Sequence, residues 1–187
     1  MTYPFWEYFL AIEDDLAEMS RYVEFDSRNF DVFSVEFARI FLSSSAEFDV
    51  VAKAICTLLK PGKEHEDIRD YRETILGRFP NFYSIEFRIP RYDLILHPWA
   101  EWKTEVSPNW WRSHNKVKHE RDKYFSEASL RNTVDSVGGL LAGILYYYRI
   151  RFGWPTNITP SPQLYTVKWY AAGLEPSENG WSFTLPD

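Results

Sequence analysis

The stretch FSVEFARIFLSSSAEFDVVAKAI, residues 33–55, decides the fold of this chain. Its apolar side chains recur three, four or seven residues apart, the spacing of one face of an α-helix. The members of this stripe are Phe37, Phe41, Phe48, Val51, Ile55 and Leu59. Ser34 is a suitable N-cap, and Pro61-Gly62 stops the pattern. The spacing therefore predicts a long helix over about 35–60.

Four further segments show helical spacing of apolar residues and predict helices at about 4–23, 64–77, 107–121 and 127–152. On the first of these, Glu13 falls on an acidic face that we expect to be solvated. Gly77 is the expected stop of the 64–77 helix, and a turn is expected at 122–126.

The segment 82–106 differs, because apolar and polar residues alternate on both sides of Pro90. We therefore predict a mainly α fold, an up-and-down bundle of about five helices with a small extended or β-hairpin insert and an irregular C-terminal tail. The helical domain is expected over 1–153. The tail, 154–187, is expected to pack on the same domain, with one short strand at 163–169.

Three glycines, Gly138, Gly139 and Gly143, weaken the last predicted helix, and close contact with neighbouring helices is the expected reason for them. Asp49 and Lys53 are four residues apart, as surface ion pairs on helices often are. The single cysteine, Cys56, falls within an apolar helical pattern and is expected to be a buried thiol.

The net charge of −6 over 187 residues argues against a protein that coats DNA, because such binding depends on Lys and Arg. Residues 112–123 nevertheless hold five basic and two acidic groups, a local charge of +3. The N-terminus lacks the basic and continuously apolar regions of a signal peptide. With its lone cysteine, the chain is expected to be cytoplasmic and not to span a membrane.

The basic residues belong to SPNWWRSHNKVKHERDKYF, residues 107–125. Pro108 suits the first position of a helix. Arg112 and His119 are seven residues apart and share a face with Asn115, whereas Trp110 and Val117 form a seam on the opposite side. We expect that seam to be buried, with His114 hydrogen-bonded close to it. On the opposite face, Arg112 can hold a phosphate, His119 can transfer a proton, and Asn115 can orient a hydroxyl.

This chemistry suits phosphodiester cleavage without a metal. His114 and His119 are five residues apart, a poor spacing for two ligands on one helix, and no HExxH motif or cysteine pair exists. No metal site and no cofactor are expected. The string Arg-x(4–6)-His is weak by itself, because chance supplies roughly one match in such a composition. Arg91 and His97 also match, but they fall in the extended segment, where His97 is expected at a turn.

Two regions of the chain resemble the HEPN superfamily of small α-helical proteins. One is the long helix at 34–60, and the other, 107–152, contains the basic helix and the final apolar helix. The resemblance implies a homodimer and a metal-independent endoribonuclease of the kind found in toxin–antitoxin or phage-defence systems. It assigns Arg112 to the phosphate, His119 to acid–base catalysis, and Ser113 to the polar position after the arginine. Possible partners are then RNA and an antitoxin or other protein.

Asn115 supports catalysis in this hypothesis, and Lys116, Lys118, Arg121 and Ser113 bind the substrate. Two alternatives stay open: a non-catalytic helical interaction module that uses the same face, and a nucleotide-binding sensor. The basic face can also be only a solvated surface with Glu120 or Asp122 as ion-pair partners. His65, within a charged run, is expected to be exposed to solvent.

Overall fold

The structure, a computed structural model, describes residues 3–153, 158–167 and 185–187. Within these residues it contains five α-helices, joined by short 3₁₀ turns, and a small antiparallel sheet, which confirms the predicted fold class. The helices are α1 (Trp6–Met19), α2 (Val35–Leu59), α3 (Ile68–Arg78), α4 (Asn109–Tyr124) and α5 (Leu130–Phe152).

The long helix α2 begins and ends as its sequence predicts. The Ser34 side chain accepts a hydrogen bond of 3.0 Å from the Phe37 N–H, and so satisfies one of the free donors at the helix start. After Lys60, Gly62 takes a φ of 83°, a value that suits glycine. Cys56 is completely buried, as expected, and its burial raises the pKa of the thiol to about 11.

Helix α5 packs along α2 and forms the centre of the core. The hydroxyls of Ser44 and Ser136 are 2.7 Å apart across this contact. A Cβ atom at Gly143 would approach Phe48 and Val51 to 3.2 Å. The absence of a side chain at Gly143 thus allows the two helices to approach closely, as the sequence predicts.

Helix α1 covers one side of this pair with Trp6, Phe9 and Leu16, all of which are buried. Glu13 lies on the same helix and is also completely buried, so its predicted solvated position is wrong. Its carboxylate accepts backbone N–H groups of the C-terminal segment, which compensate for the loss of water. The donors and distances are Gln163 at 2.7 Å, Leu164 at 2.9 Å and Tyr165 at 3.2 Å.

The sheet has three strands, with β1 (Phe87–Ile89) in the middle, between β2 (Leu94–Leu96) and β3 (Thr166–Val167). β1 and β2 form the predicted hairpin, with Phe87 opposite Leu96. β3 pairs with β1 in the antiparallel direction and occupies part of the predicted strand 163–169. Residues 163–165 are not in a strand, so the prediction is wrong there, and residues 168–169 lie outside the described residues.

Several predicted helix boundaries are wrong. Helix α3 begins four residues later than expected, because Asp67 caps it by accepting the N–H groups of Arg69 and Asp70. Gly77 lies inside α3 and does not end it. Residues 122–124, expected in a turn, extend α4, which ends at Tyr124.

The described parts of the tail pack on the helices. Ile158 and Leu185 are buried. The Tyr146 hydroxyl on α5 donates a hydrogen bond of 2.6 Å to the carbonyl oxygen of Pro186. Among the described residues, no helix has the length and apolar character needed to cross a bilayer.

Candidate functional site

The candidate site is built on α4, whose first turn is organised by the preceding 3₁₀ segment Ala100–Thr104. Pro108 occupies the cap position rather than the predicted first helical position, and α4 begins at Asn109. The Glu101 carboxylate accepts the N–H of Asn109 and places a negative charge at the positive end of the helix dipole.

One side of α4 is anchored in an aromatic core. Trp110 and Val117 are buried, which confirms the predicted seam. Trp110 donates its indole N–H to the Pro98 carbonyl at 2.8 Å. A Cβ atom at Gly139 would lie only 2.7 Å from the Trp110 ring, so this glycine is required by the close contact of α5 with α4.

Arg112 is exposed but fully engaged within its own chain. Its guanidinium forms a 3.0 Å ion pair with Glu101. It also donates to the carbonyl oxygen of Ser107 and lies 3.4 Å from the side-chain oxygen of Asn109. These contacts direct Arg112 toward the start of α4, away from His119.

Two of the predicted substrate-binding residues share an acidic partner. Ser113 is buried, and its hydroxyl donates to Glu127 at 2.6 Å. Lys116 is paired with the same carboxylate at 2.8 Å. The Lys116 charge, with the Ser113 hydrogen bond, lowers the pKa of Glu127. Ser113 and Lys116 therefore hold the loop before α5 in this chain.

The second half of α4 has a different environment. Glu120 has φ −138° and ψ 52°, so the helix is kinked directly after His119. Up to that point the helix is continuous from Asn109. The side chains around the kink border an open groove of about 890 Å³ between α2 and α4, which we call the His119 groove. Its lining residues are Val35, Ala38, Arg39, Leu42, Val117, Lys118, His119, Arg121, Asp122 and Phe125.

The His119 groove contains basic side chains that form no ion pair within the described residues. Lys118, His119 and Arg121 are exposed and form no ion pair within the described part of the chain. Arg39, on the opposite wall, is paired with Asp15 at 3.1 Å and with Glu36 at 2.9 Å. The structure therefore brings His119 together with Lys118 and Arg121, but not with Arg112.

Asn115 lines a neighbouring groove of about 630 Å³ between α2, α4 and the start of α3, which we call the Trp111 groove. Its lining residues are Leu42, Ala46, Asp49, Lys53, Glu66, Asp67, Ile68, Trp111, His114, Asn115 and Lys118. Leu42 and Lys118 line both grooves, which therefore adjoin along α2 and α4.

His114 lies at the edge of the core, as predicted, and is only 4% exposed. The predicted hydrogen bond is wrong for Nδ1, which is buried and has no partner in the part of the chain that the structure describes. Burial, reinforced by the positive charge of Lys118, lowers the pKa of His114 to about 4. The imidazole is therefore neutral at pH 7.

Asp49 and Lys53 form the predicted ion pair, with an N–O distance of 2.6 Å. The other Asp49 oxygen accepts a 2.7 Å hydrogen bond from the Tyr71 hydroxyl on α3, an interaction that nothing in the local sequence indicates. This second contact joins α3 to the wall of the Trp111 groove.

The two remaining histidines lie outside both grooves. His65, predicted to be exposed, is buried, and its Nε2 lies 3.1 Å from the Thr74 hydroxyl. His97 follows β2 and accepts a turn hydrogen bond of 3.1 Å from Ala100 through its carbonyl, as its position before Pro98 predicts. In the described ranges, no three His, Cys, Asp or Glu side chains are grouped so that they could hold a metal ion.

Comparisons with known proteins find no match to this chain, whether among family models, curated proteins or solved structures.

Proposed function

We propose that this protein is a HEPN-like, metal-independent endoribonuclease whose acid–base residue is His119. The observation that supports the proposal best is the His119 groove. In a chain of net charge −6, it gathers Lys118, His119 and Arg121. Asp122 also lines this groove, but none of the three basic residues forms an ion pair among the described residues. An RNA phosphate supplies the negative charge that these side chains lack.

The proposed reaction uses the RNA itself as nucleophile. His119 accepts the proton of a ribose 2′-hydroxyl, whose oxygen attacks the adjacent phosphorus. The bond from phosphorus to the 5′-oxygen of the next nucleotide breaks, and the protonated His119 returns the proton to that oxygen, directly or through a water molecule. The products are a 2′,3′-cyclic phosphate and a free 5′-hydroxyl. Lys118 and Arg121 stabilise the negative charge on the phosphate oxygens as it develops.

The role of Arg112 in this proposal depends on a homodimer. Seven residues of α-helix separate it from His119 by about 10 Å along the axis, and Glu101 holds its guanidinium at the far end of α4. We therefore propose that two copies pair so that Arg112 of one copy and His119 of the other face one phosphate, as the HEPN resemblance implies. The cytoplasm, with a toxin–antitoxin or phage-defence system, is the proposed setting.

The decisive experiment is incubation of the purified protein with mixed RNA in EDTA. We expect cleavage that falls by about 10²- to 10⁴-fold in His119→Ala, the usual contribution of a general acid or base. His97→Ala is the matched control, because His97 is also exposed and follows an arginine at similar spacing, but lies outside the groove. Equal cleavage by His119→Ala, with the fold intact by circular dichroism, would remove the proposal.

A second candidate function is a non-catalytic interaction module that binds an antitoxin or another protein. It is favoured by one observation: Arg112, Ser113 and Lys116 all have partners within the chain, as in a face that serves stability rather than chemistry. A homodimer that lacks RNA cleavage in EDTA and also with added Mg²⁺ would support this alternative.

A further inference from the structure

The Trp111 groove adjoins the His119 groove, but the proposed cleavage reaction does not use it. Its volume of about 630 Å³ lies within the range of about 300–1,000 Å³ that is common for small-molecule sites. Lys118 stands where the two grooves meet. A ligand with two chemically different ends can therefore occupy both.

The inner wall of this groove is apolar and aromatic. Trp111 is held by edge contacts with Phe48 and Trp110, with ring centroids 5.7 Å and 5.6 Å apart. The His114 ring lies 5.3 Å from Trp111. Trp111 is 8% exposed, so the part of its ring that borders the groove is small, but it is rigidly held and suits contact with a planar, uncharged group.

Polar atoms without partners accompany the aromatic wall. His114 is buried beside Trp111, and its Nδ1, which is itself buried, has no hydrogen-bond partner among the described residues. Asn115 is exposed and its amide makes no hydrogen bond within the described part of the chain. An amide offers a donor and an acceptor side by side, the combination that pairs with the edge of a nucleobase.

The charges of the groove do not favour a phosphate as its main ligand. Three acidic side chains, Asp49, Glu66 and Asp67, outnumber Lys53 and Lys118, although Asp67 is also paired with Arg69 at 2.6 Å. Asp49 and Lys53 also neutralise each other at 2.6 Å. A neutral ring is therefore preferred in this groove, whereas an anion is preferred in the neighbouring His119 groove.

We propose that the Trp111 groove binds the nucleobase next to the phosphate that occupies the His119 groove. This inference rests on the proposed function, because it takes the phosphate position from it. A base inside the groove is unstacked from its neighbours, so the substrate class is single-stranded RNA rather than a duplex. Asn115 then acts in base binding, beside rather than within the reacting groups.

The test is isothermal titration calorimetry, in EDTA, with the four ribonucleoside 5′-monophosphates and with ribose 5-phosphate, which lacks a base. We expect at least one nucleotide to bind about 10-fold more tightly than ribose 5-phosphate, the scale of one base contact. Asn115→Ala removes most of this advantage without changing the affinity for ribose 5-phosphate. Lys118→Gln weakens both ligands. Asn81→Ala, an exposed asparagine outside both grooves, changes neither.

Equal affinities for nucleotides and ribose 5-phosphate overturn the base-binding site, as does an Asn115→Ala variant that keeps the full advantage. These results leave RNA cleavage by His119 untouched, so the two proposals fail separately. Conversely, an Asn115-dependent advantage in a protein that does not cleave RNA supports the base site and removes the nuclease.

Discussion

The two halves of α4 carry similar residues but use them differently. In the first half, Arg112, Ser113 and Lys116 are bound to Glu101 or Glu127. In the second half, Lys123 pairs with Glu120 at 2.8 Å, but Lys118 and His119 have no such partner among the described residues and border an open groove. A basic helix is therefore informative about function only where its charges are not already satisfied within the chain. The difference moves the centre of the candidate site toward the kink at Glu120.

The largest effect that we expect in the first half of α4 concerns His114. Its pKa is lowered from 6.5 to about 4 in the folded protein, so between these values the unfolded chain binds the extra proton. The contribution of His114 to the free energy of unfolding is therefore fully present above pH 6.5 and is lost as the pH falls toward 4. The full shift corresponds to about 3 kcal/mol. Urea unfolding of the wild type and of His114→Phe across this range measures it.

The difference between the stability curves of the wild type and His114→Phe isolates the contribution of His114 to the pH dependence. Glu13 and Asp135 have raised pKa values caused by burial, and so act in the opposite direction, but both are present in both proteins. Parallel curves for the wild type and His114→Phe would show that His114 is not the buried neutral group described above.

The next effect concerns the packing beneath Trp110. Gly139→Ala places a methyl group within 2.7 Å of the indole ring, so we expect a loss of about 1–3 kcal/mol in the free energy of unfolding. Gly77→Ala is the matched control. Nothing lies within 4 Å of its Cβ position, and alanine should stabilise α3 by about 0.5–1 kcal/mol. Chemical denaturation measures both, and equal effects would contradict the close α4–α5 contact.

The smallest effect concerns the Arg112–Glu101 pair, whose side chains are 42% and 39% exposed. Exposed ion pairs contribute about 0.2–1 kcal/mol, so Arg112→Ala should cost little and less still in high salt. Glu101→Ala should cost more, because it also removes the acceptor of the Asn109 N–H. A double-mutant cycle separates the two contributions. A coupling energy near zero would mean that Glu101 does not hold Arg112, so that Arg112 is available to bind a ligand.

Part of the candidate site could be predicted from the spacing of residues along one helix. The burial of Trp110 and Val117 and the exposure of Arg112, Asn115 and His119 follow from the helical period, and the structure confirms them. Spacing does not tell which exposed side chain finds a partner elsewhere in the chain. The Glu101 partner of Arg112 comes from a separate 3₁₀ segment, and that contact separates Arg112 from the groove that contains His119.

The same limit applies to the Trp111 groove. Its aromatic wall and its acidic rim come from α2, α3 and α4, so no single stretch of sequence reveals it. One local feature does indicate part of it: Asp67 directly precedes Ile68, and an acidic residue at this position is a typical N-cap, which predicts that α3 begins at Ile68. The burial of His65 does not follow from its local sequence for a similar reason, because its partner Thr74 lies on α3.

Local patterns alone established the five helices, the hairpin around Pro90, the Ser34 cap and the buried Cys56, because each depends on the periodicity or chemistry of neighbouring residues. The burial of Glu13 under the C-terminal segment and the ion pairs that hold Arg112 and Lys116 came from the folded arrangement. These features join residues far apart in the chain, and only the packing of α2, α4 and α5 brings such residues within hydrogen-bonding distance.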